Sequence, residues 1–471
     1  WCGGLRLCAG ARVTVEDVCR VALGEGVEVC PESLRALSES RSAYEAEASR
    51  GRVYGYSTGL GALASVDVGL WEGREREVLV EHDVALGPEA PAEVVRAAMA
   101  VRASQLAQGA APVRPEVLLR LADAVNRGVT PVVPLYGSVG ASGDLAPLAR
   151  VARCLFYGEG EALAGGRRVP CSEALESAGL RPMDLRPGEA LALINSNAFS
   201  VAEAALGVCA AERLVAESLK VMRLTLAATG CNPQHFSDDV ARAKGLRGVA
   251  EVVGALSGAC AKTPRVQDPY CIRCAPQVYG AAIEALRFAE GLVEAEASAV
   301  SENPFVSGGR VVHACNFHAA SAALAADAAK VALAHVANMI ERRTAHLLSS
   351  ATTGLPEFLA VGGTVVGAML YQYAAASLAA EVRALASPGS VHSIPTSGLQ
   401  EDVVSMAPNA ALSLLRSAAL LLRLVALEGA LASEALSVAR GGRPGDPRAA
   451  IGEWTSRVAS ETGLGFLLGL G

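Results

Sequence analysis

Residues 410–439 read AALSLLRSAALLLRLVALEGALASEALSVA, and their spacing predicts one long helix. Ala and Leu dominate the stretch, and both are strong helix formers, whereas β-branched and aromatic residues drive strands. The same texture recurs at 200–229, 278–300, 319–348 and 364–386. Each segment is roughly two to three times the length of an average helix, which predicts a bundle of long helices. Before residue 190 the texture differs. Gly and Pro cluster at 55–61, 131–143, 158–166 and 182–188, which predicts short helices, a few strands and long loops. The expected fold is therefore mainly α, with an N-terminal domain at 1–190 and a long-helix bundle domain at 191–471.

Composition narrows the function. The 471 residues are 51% hydrophobic and 19% charged, with mean hydropathy +0.32. The apolar stretches carry charges (Arg423 within 417–427, Asp327 and Lys330 within 321–340), so no uncharged run is expected to span a bilayer. Helices buried on most sides, inside a large bundle or oligomer, account for the hydropathy instead. A net charge of −7 argues against a nucleic-acid partner, which calls for basic patches. The opening WCGGLRLCAGARV lacks a charged segment followed by a sustained apolar one, so no export signal is expected and a cytoplasmic location is. The twelve cysteines are scattered, which predicts reduced, buried thiols rather than disulfides. Cys271 and Cys274 form a single CxxC, too little to predict a redox or metal site.

The stretch that carries chemistry is Gly137-Ser138-Val139-Gly140-Ala141-Ser142-Gly143-Asp144-Leu145-Ala146-Pro147-Leu148. One reading is structural: a Gly-rich loop with Ser142 or Asp144 capping a helix that starts near Leu145. A phosphate loop is excluded, since neither the Lys-Ser/Thr ending nor the GxGxxG spacing is present. A third reading is chemical. In a tightly bent Ala-Ser-Gly the Gly143 amide nitrogen can attack the Ala141 carbonyl carbon, and glycine leaves that approach open. Loss of water from the ring and from the Ser142 side chain leaves a methylidene-imidazolone with an electrophilic methylene.

On this run the chain resembles the histidine/phenylalanine ammonia-lyase family. Tyr54-Gly55-Tyr56-Ser57-Thr58-Gly59-Leu60-Gly61 is similar to that family's Tyr-Gly-x-Asn-Thr-Gly-Phe-Gly loop. Further matches fall at 267–277 (QDPYCIRCAPQ), 301–304 (SENP), 316–319 (NFHA) and 400–406 (QEDVVSM), in family order. The resemblance implies a lyase that removes ammonia using a methylidene-imidazolone made from Ala141, Ser142 and Gly143, with no external cofactor. It also implies a homotetramer whose active sites combine residues of different subunits. Tyr54 would be the base at the substrate β-carbon, its phenol lowered in pKa by neighbouring positive charge. Arg273 would hold the substrate carboxylate, while Tyr270, Asn195 and Gln267 hydrogen-bond the electrophile or the carboxylate. Phe317 would wall the pocket.

Histidine enzymes of the family carry a His matching His82, a Glu matching Glu401 and a Met matching Met369. A carboxylate at Glu401 suits an imidazole, and a phenyl ring would leave it buried and unpaired. Read without the family, Glu401 could simply cap a helix in 400–406. The expected reaction is L-histidine to urocanate and ammonia. The alternatives are a tyrosine or phenylalanine lyase or aminomutase using the same electrophile, and more remotely a non-catalytic helical scaffold. Four departures stand out: Asn195-Ser196-Asn197 replaces the family's Asn-Gly-Thr, Ser57 an Asn, Leu399 an Asn and Val403 a His.

Overall fold

A computed structural model describes residues 4–66, 73–261 and 263–470. The five long segments are helical, at Ala198–Thr229, Ala275–Ala297, Ala320–Leu347, Leu370–Leu385 and Ala407–Ala439. The fourth starts six residues later than its spacing predicts. Gly367, inside the predicted segment, takes φ of +61°, and a helix cannot pass through left-handed backbone. The strands are short and few, forming small sheets of two or three strands among the described residues.

Contacts divide the chain into two compact units. The first comprises Trp1–Leu206, Glu290–Ala325 and Gly389–Leu412. Its helix Ala92–Ala107 is buried along most of its length, and from it Arg102 pairs with Glu302 at 2.7 Å with both side chains buried. The Gln105 amide, on the same helix, joins Asn197, Ser196 and Ser301 at 2.6–2.9 Å. That network explains one departure from the family pattern. The Ser196 and Asn197 side chains are fully buried but partnered, and Asn197 also donates to Glu296 at 2.7 Å.

The second unit comprises Gly207–Ala289, Ala326–Pro388 and Ser413–Gly471. At its centre Arg343 grips Glu428 with two bonds of 2.6 and 2.7 Å, and Tyr279 and Thr225 satisfy further atoms at 2.9 Å. Both charges are fully buried, so removing either partner would strand the other at a cost of about 3–5 kcal/mol.

Two expectations are corrected. Three helical stretches, Glu189–Thr229, Ala320–Leu347 and Ala407–Ala439, are long and apolar enough to cross a membrane, because one or two charges barely lower a window's hydropathy. Their most apolar windows are 100%, 67% and 78% buried within the protein, so packing already accounts for them. The cysteines are not all reduced: Cys8–Cys30, Cys154–Cys171 and Cys231–Cys260 are disulfides. Partners 17 to 29 residues apart meet through tertiary folding, which spacing alone does not reveal. Cys271 and Cys274 stay free, and burial pushes the Cys271 thiol up to about 11.

Candidate active site

The Gly-rich run links the strand Pro134–Tyr136 to the helix Leu145–Tyr157. Gly143 takes φ +78°, and a Cβ there would lie 2.4–2.6 Å from the Ser196 backbone. No side chain fits. The Asp144 amide donates to the Ser196 carbonyl at 2.7 Å, and Asn195 Nδ2 donates to the Ser142 carbonyl at 2.8 Å. Asn195 is itself fixed, since the Asn303 amide donates to its Oδ1 at 2.9 Å.

Asp144 does not cap its own helix. Its buried carboxylate accepts from Ser138 at 2.9 Å and from the amide and hydroxyl of Ser200 at 2.7 Å. It therefore caps the helix Ala198–Thr229 and ties that helix start to the loop. Burial raises its pKa, against the lowering effect of those hydrogen bonds.

Two cavities, of about 220 and 370 Å³, share Tyr54, Gly61, Ser142 and Glu401 in their walls. His82 and Asn195 line the smaller, with Leu60, Leu145, Leu191 and Ser397. Ala141 and Phe317 line the larger, with Asn303, His313, Cys315 and His318. All belong to the first unit. Tyr54 OH accepts from the Gly61 amide at 3.0 Å. His82 Nδ1 lies 2.7 Å from the Val78 carbonyl; donating there, it leaves Nε2 as an acceptor. Glu401 Oε1 accepts from the Ser142 hydroxyl and Oε2 from Thr396 at 2.7 Å.

Glu401 is no helix cap: it forms an antiparallel bridge to Thr396, and the next helix starts only at Ala407. The turn between them holds Ser397, Gly398 and Leu399 at φ of 49°, 60° and 71°. Left-handed backbone at two non-glycine positions costs about 1–3 kcal/mol each, and here it aims the carboxylate. Of two family departures nearby, Leu399 is exposed and lines neither cavity, whereas Val403, also exposed, lies in the wall of the larger one.

The expectation for the Tyr54 phenol is also corrected. Burial raises its pKa and Glu401 raises it further, only partly offset by the Gly61 amide. The charge beside it in this chain is negative.

Gln267, Tyr270, Arg273 and Met369 belong to the second unit and line neither cavity. Tyr270 and Arg273 sit on the short helix Tyr270–Arg273, with the guanidinium 4.6 Å over the phenol ring. Arg273 Nε is buried without a hydrogen-bond partner, a free donor suited to an oxygen anion. Asp268 anchors this segment, accepting from the Asn232 amide and Arg265 Nε at 2.7 Å. Met369 immediately precedes the helix Leu370–Leu385. Sequence reasoning flagged Asn303 only as part of the SENP motif, with no role, and missed Thr396, Ser397 and His313; of these three, only the closeness of Thr396 to Glu401 in the chain could have been a signal.

The loop fits the group that the resemblance implies. Gly143 leaves no room for a side chain, its amide is next to Ser142, and the Ser142 carbonyl is already polarised by Asn195.

The aromatic amino acid lyase family model matches residues 13–458. The chain is 40% identical to a histidine ammonia-lyase of Geobacillus thermodenitrificans over 420 residues, 85% of this chain and 82% of that one. It is 40% identical to a histidine ammonia-lyase of Paracidovorax citrulli over 445 residues, 91% and 87% of the two chains. Among solved structures, a tyrosine aminomutase from Streptomyces globisporus superposes with TM-score 0.89 at 28% identity, covering 99% of this chain and 98% of that one.

Proposed function

The chain belongs to the aromatic amino acid lyase family, and from that premise we propose that it converts L-histidine to urocanate and ammonia. It is a carbon–nitrogen lyase. The observation that carries the histidine reading is the meeting of His82, Glu401 and Tyr54 around one cavity with Ser142.

Ala141, Ser142 and Gly143 would hold the methylidene-imidazolone, which when formed supplies an electrophile that captures the substrate amine and makes it a competent leaving group. Tyr54 is the base: its oxygen borders the same cavity as Ser142 and would take the β-proton. Glu401 and His82 face the imidazole. The carboxylate accepts an N–H, and His82 Nε2 offers a second acceptor that a phenyl ring cannot use. Asn195 holds the electrophile's carbonyl, and Phe317 closes one wall. Arg273, with its unpartnered Nε, would bind the substrate carboxylate, with Gln267 and Tyr270 beside it and Met369 packing the side chain.

The reading includes a cytoplasmic homotetramer in which Gln267, Tyr270, Arg273 and Met369 reach the cavity of another subunit. The second reading, a tyrosine aminomutase or lyase, draws on the Streptomyces likeness. Incubating purified protein with histidine, tyrosine and phenylalanine separates them, because urocanate, coumarate and cinnamate differ in absorbance. Urocanate should form fastest. Faster coumarate or cinnamate would remove histidine as the substrate and leave the lyase class intact.

A further inference from the structure

Two contacts in the first unit fall on the atoms that must change when Ser142 loses water. The Ser142 hydroxyl donates to Glu401 Oε1, and Asn195 Nδ2 donates to the Ser142 carbonyl oxygen at 2.8 Å. Removing the Ser142 α-proton drives negative charge onto that carbonyl oxygen, and the departing hydroxyl needs a proton. We infer that Glu401 and Asn195 are the machinery that dehydrates Ser142 during the chain's own maturation, before either group meets a substrate. The inference rests on the reading that Ala141-Ser142-Gly143 becomes the electrophile, and it adds an activity of the unmatured chain on itself.

The step balances with no outside reagent. The Glu401 carboxylate takes the Cα proton of Ser142. The C–H electron pair becomes the Cα=Cβ double bond as the Cβ–Oγ bond breaks. The oxygen leaves with its bonding pair and takes the proton back from Glu401, so one water departs and the carboxylate is restored. The charge passing through the Ser142 carbonyl oxygen meets the Asn195 N–H, in the way that a fixed donor stabilises an oxyanion.

Both groups are held for the task. Thr396 occupies Glu401 Oε2 at 2.7 Å, which leaves Oε1 for Ser142, and the Asn303 amide fixes Asn195 at 2.9 Å. A carboxylate whose sole role was to face substrate would have no need of a bond to the serine. Loss of the water frees Oε1, so one residue can serve first in maturation and then in recognition.

Intact mass and peptide mapping, after reduction of the disulfides, test this without any turnover measurement. Wild type should be about 36 Da lighter than its sequence, two waters, with the deficit in the Ser142 peptide. Glu401→Gln should be about 18 Da lighter, with the ring closed and the serine oxygen retained. Glu401→Asp and Asn195→Ala should complete the second loss at least about tenfold more slowly, as expected when a positioned proton carrier or donor is withdrawn. A Glu401→Gln chain that reaches the wild-type mass at the wild-type pace overturns the inference. So does a folded one with no loss at all, which would put Glu401 in ring closure. If Glu401→Gln does not fold, Glu401→Asp decides, and a wild-type pace there is equally fatal. An unmodified wild type is a different result, because it removes the electrophile reading itself.

Discussion

Replacing Gly143 with alanine should separate folding from maturation. An added Cβ would lie 2.4 Å from the Ser196 carbonyl oxygen and 2.6 Å from the Ser196 carbonyl carbon and amide nitrogen. These are backbone atoms, so no side chain can swing away, and relief requires a shift of roughly 1 Å. Alanine at φ +78° adds about 1–2 kcal/mol of left-handed strain. If the shift breaks the 2.7 Å bond from Asp144 to Ser196, a stranded buried donor adds about 1–3 kcal/mol. The total, roughly 2–5 kcal/mol, is below the typical stability of about 5–15 kcal/mol, so the chain should still fold. Ring closure fares worse, since a displacement of about 1 Å can cost roughly a hundredfold in rate. The expected result is helical circular dichroism with a lowered melting temperature, and no loss of water by intact mass over hours in which wild type is complete. A Gly143→Ala chain lighter by two waters at the wild-type pace would refute the claim that this close packing against Ser196 shapes the loop.

Three further predictions concern recognition, pH and stability. His82→Phe should shift the ratio of kcat/KM for histidine over phenylalanine by about 10–100-fold toward phenylalanine, as expected for one lost polar partner; an unchanged ratio removes His82 from recognition. With the Tyr54 phenol raised by burial and by Glu401, its base form is scarce near neutral pH. Activity should therefore climb with pH, at most about tenfold per unit, and a flat profile from about pH 7 to 9 would take Tyr54 out of the base role. Glu75 is fully buried where it accepts from the Gly188 and Ala190 amides, and burial raises its carboxyl from 4.5 to about 7. Its stabilising contribution is complete below pH 4.5 and lost as pH rises through about 7, a swing of roughly 3 kcal/mol. Glu75→Gln should flatten the fall in urea midpoint across that window, and an unchanged slope would sink the assignment.

What could be read from the sequence depended on how far each cause reached along the chain. The long helices were legible because Ala- and Leu-rich spacing is a local property, and the error at residues 364–369 came from Gly367, whose left-handed backbone packs tightly against the Phe358 carbonyl. Asp144 shows the limit. A cap for the helix at Leu145 is the local reading, but the carboxylate turns to Ser200, 56 residues away. The disulfides failed for the same reason. Tyr54, His82, Ser142, Asn195, Phe317 and Glu401 were singled out through motifs, and the structure gathers them around the two cavities of one unit. The turn that aims Glu401 was invisible, because nothing in Ser397-Gly398-Leu399 announces three successive positive φ values. The sign of the electrostatics at Tyr54 was hidden too. It depends on Glu401, which lies far off in sequence.

That distance bears on how Glu401 variants are read. From sequence the residue looks like a substrate contact, and a loss of histidine turnover in Glu401→Gln would be taken as proof. The contact with Ser142 removes that inference. If the carboxylate also dehydrates the serine, the variant lacks its electrophile and turns over no amino acid, whichever substrate the pocket prefers. His82 has no such bond, its Nδ1 being engaged by Val78 on its own helix, so a change there leaves maturation intact. Specificity is therefore best tested at His82, where maturation is not at stake, and maturation at Glu401. A His82→Phe chain that matures to the full mass deficit yet changes its substrate ratio is the result that only a direct role in recognition produces.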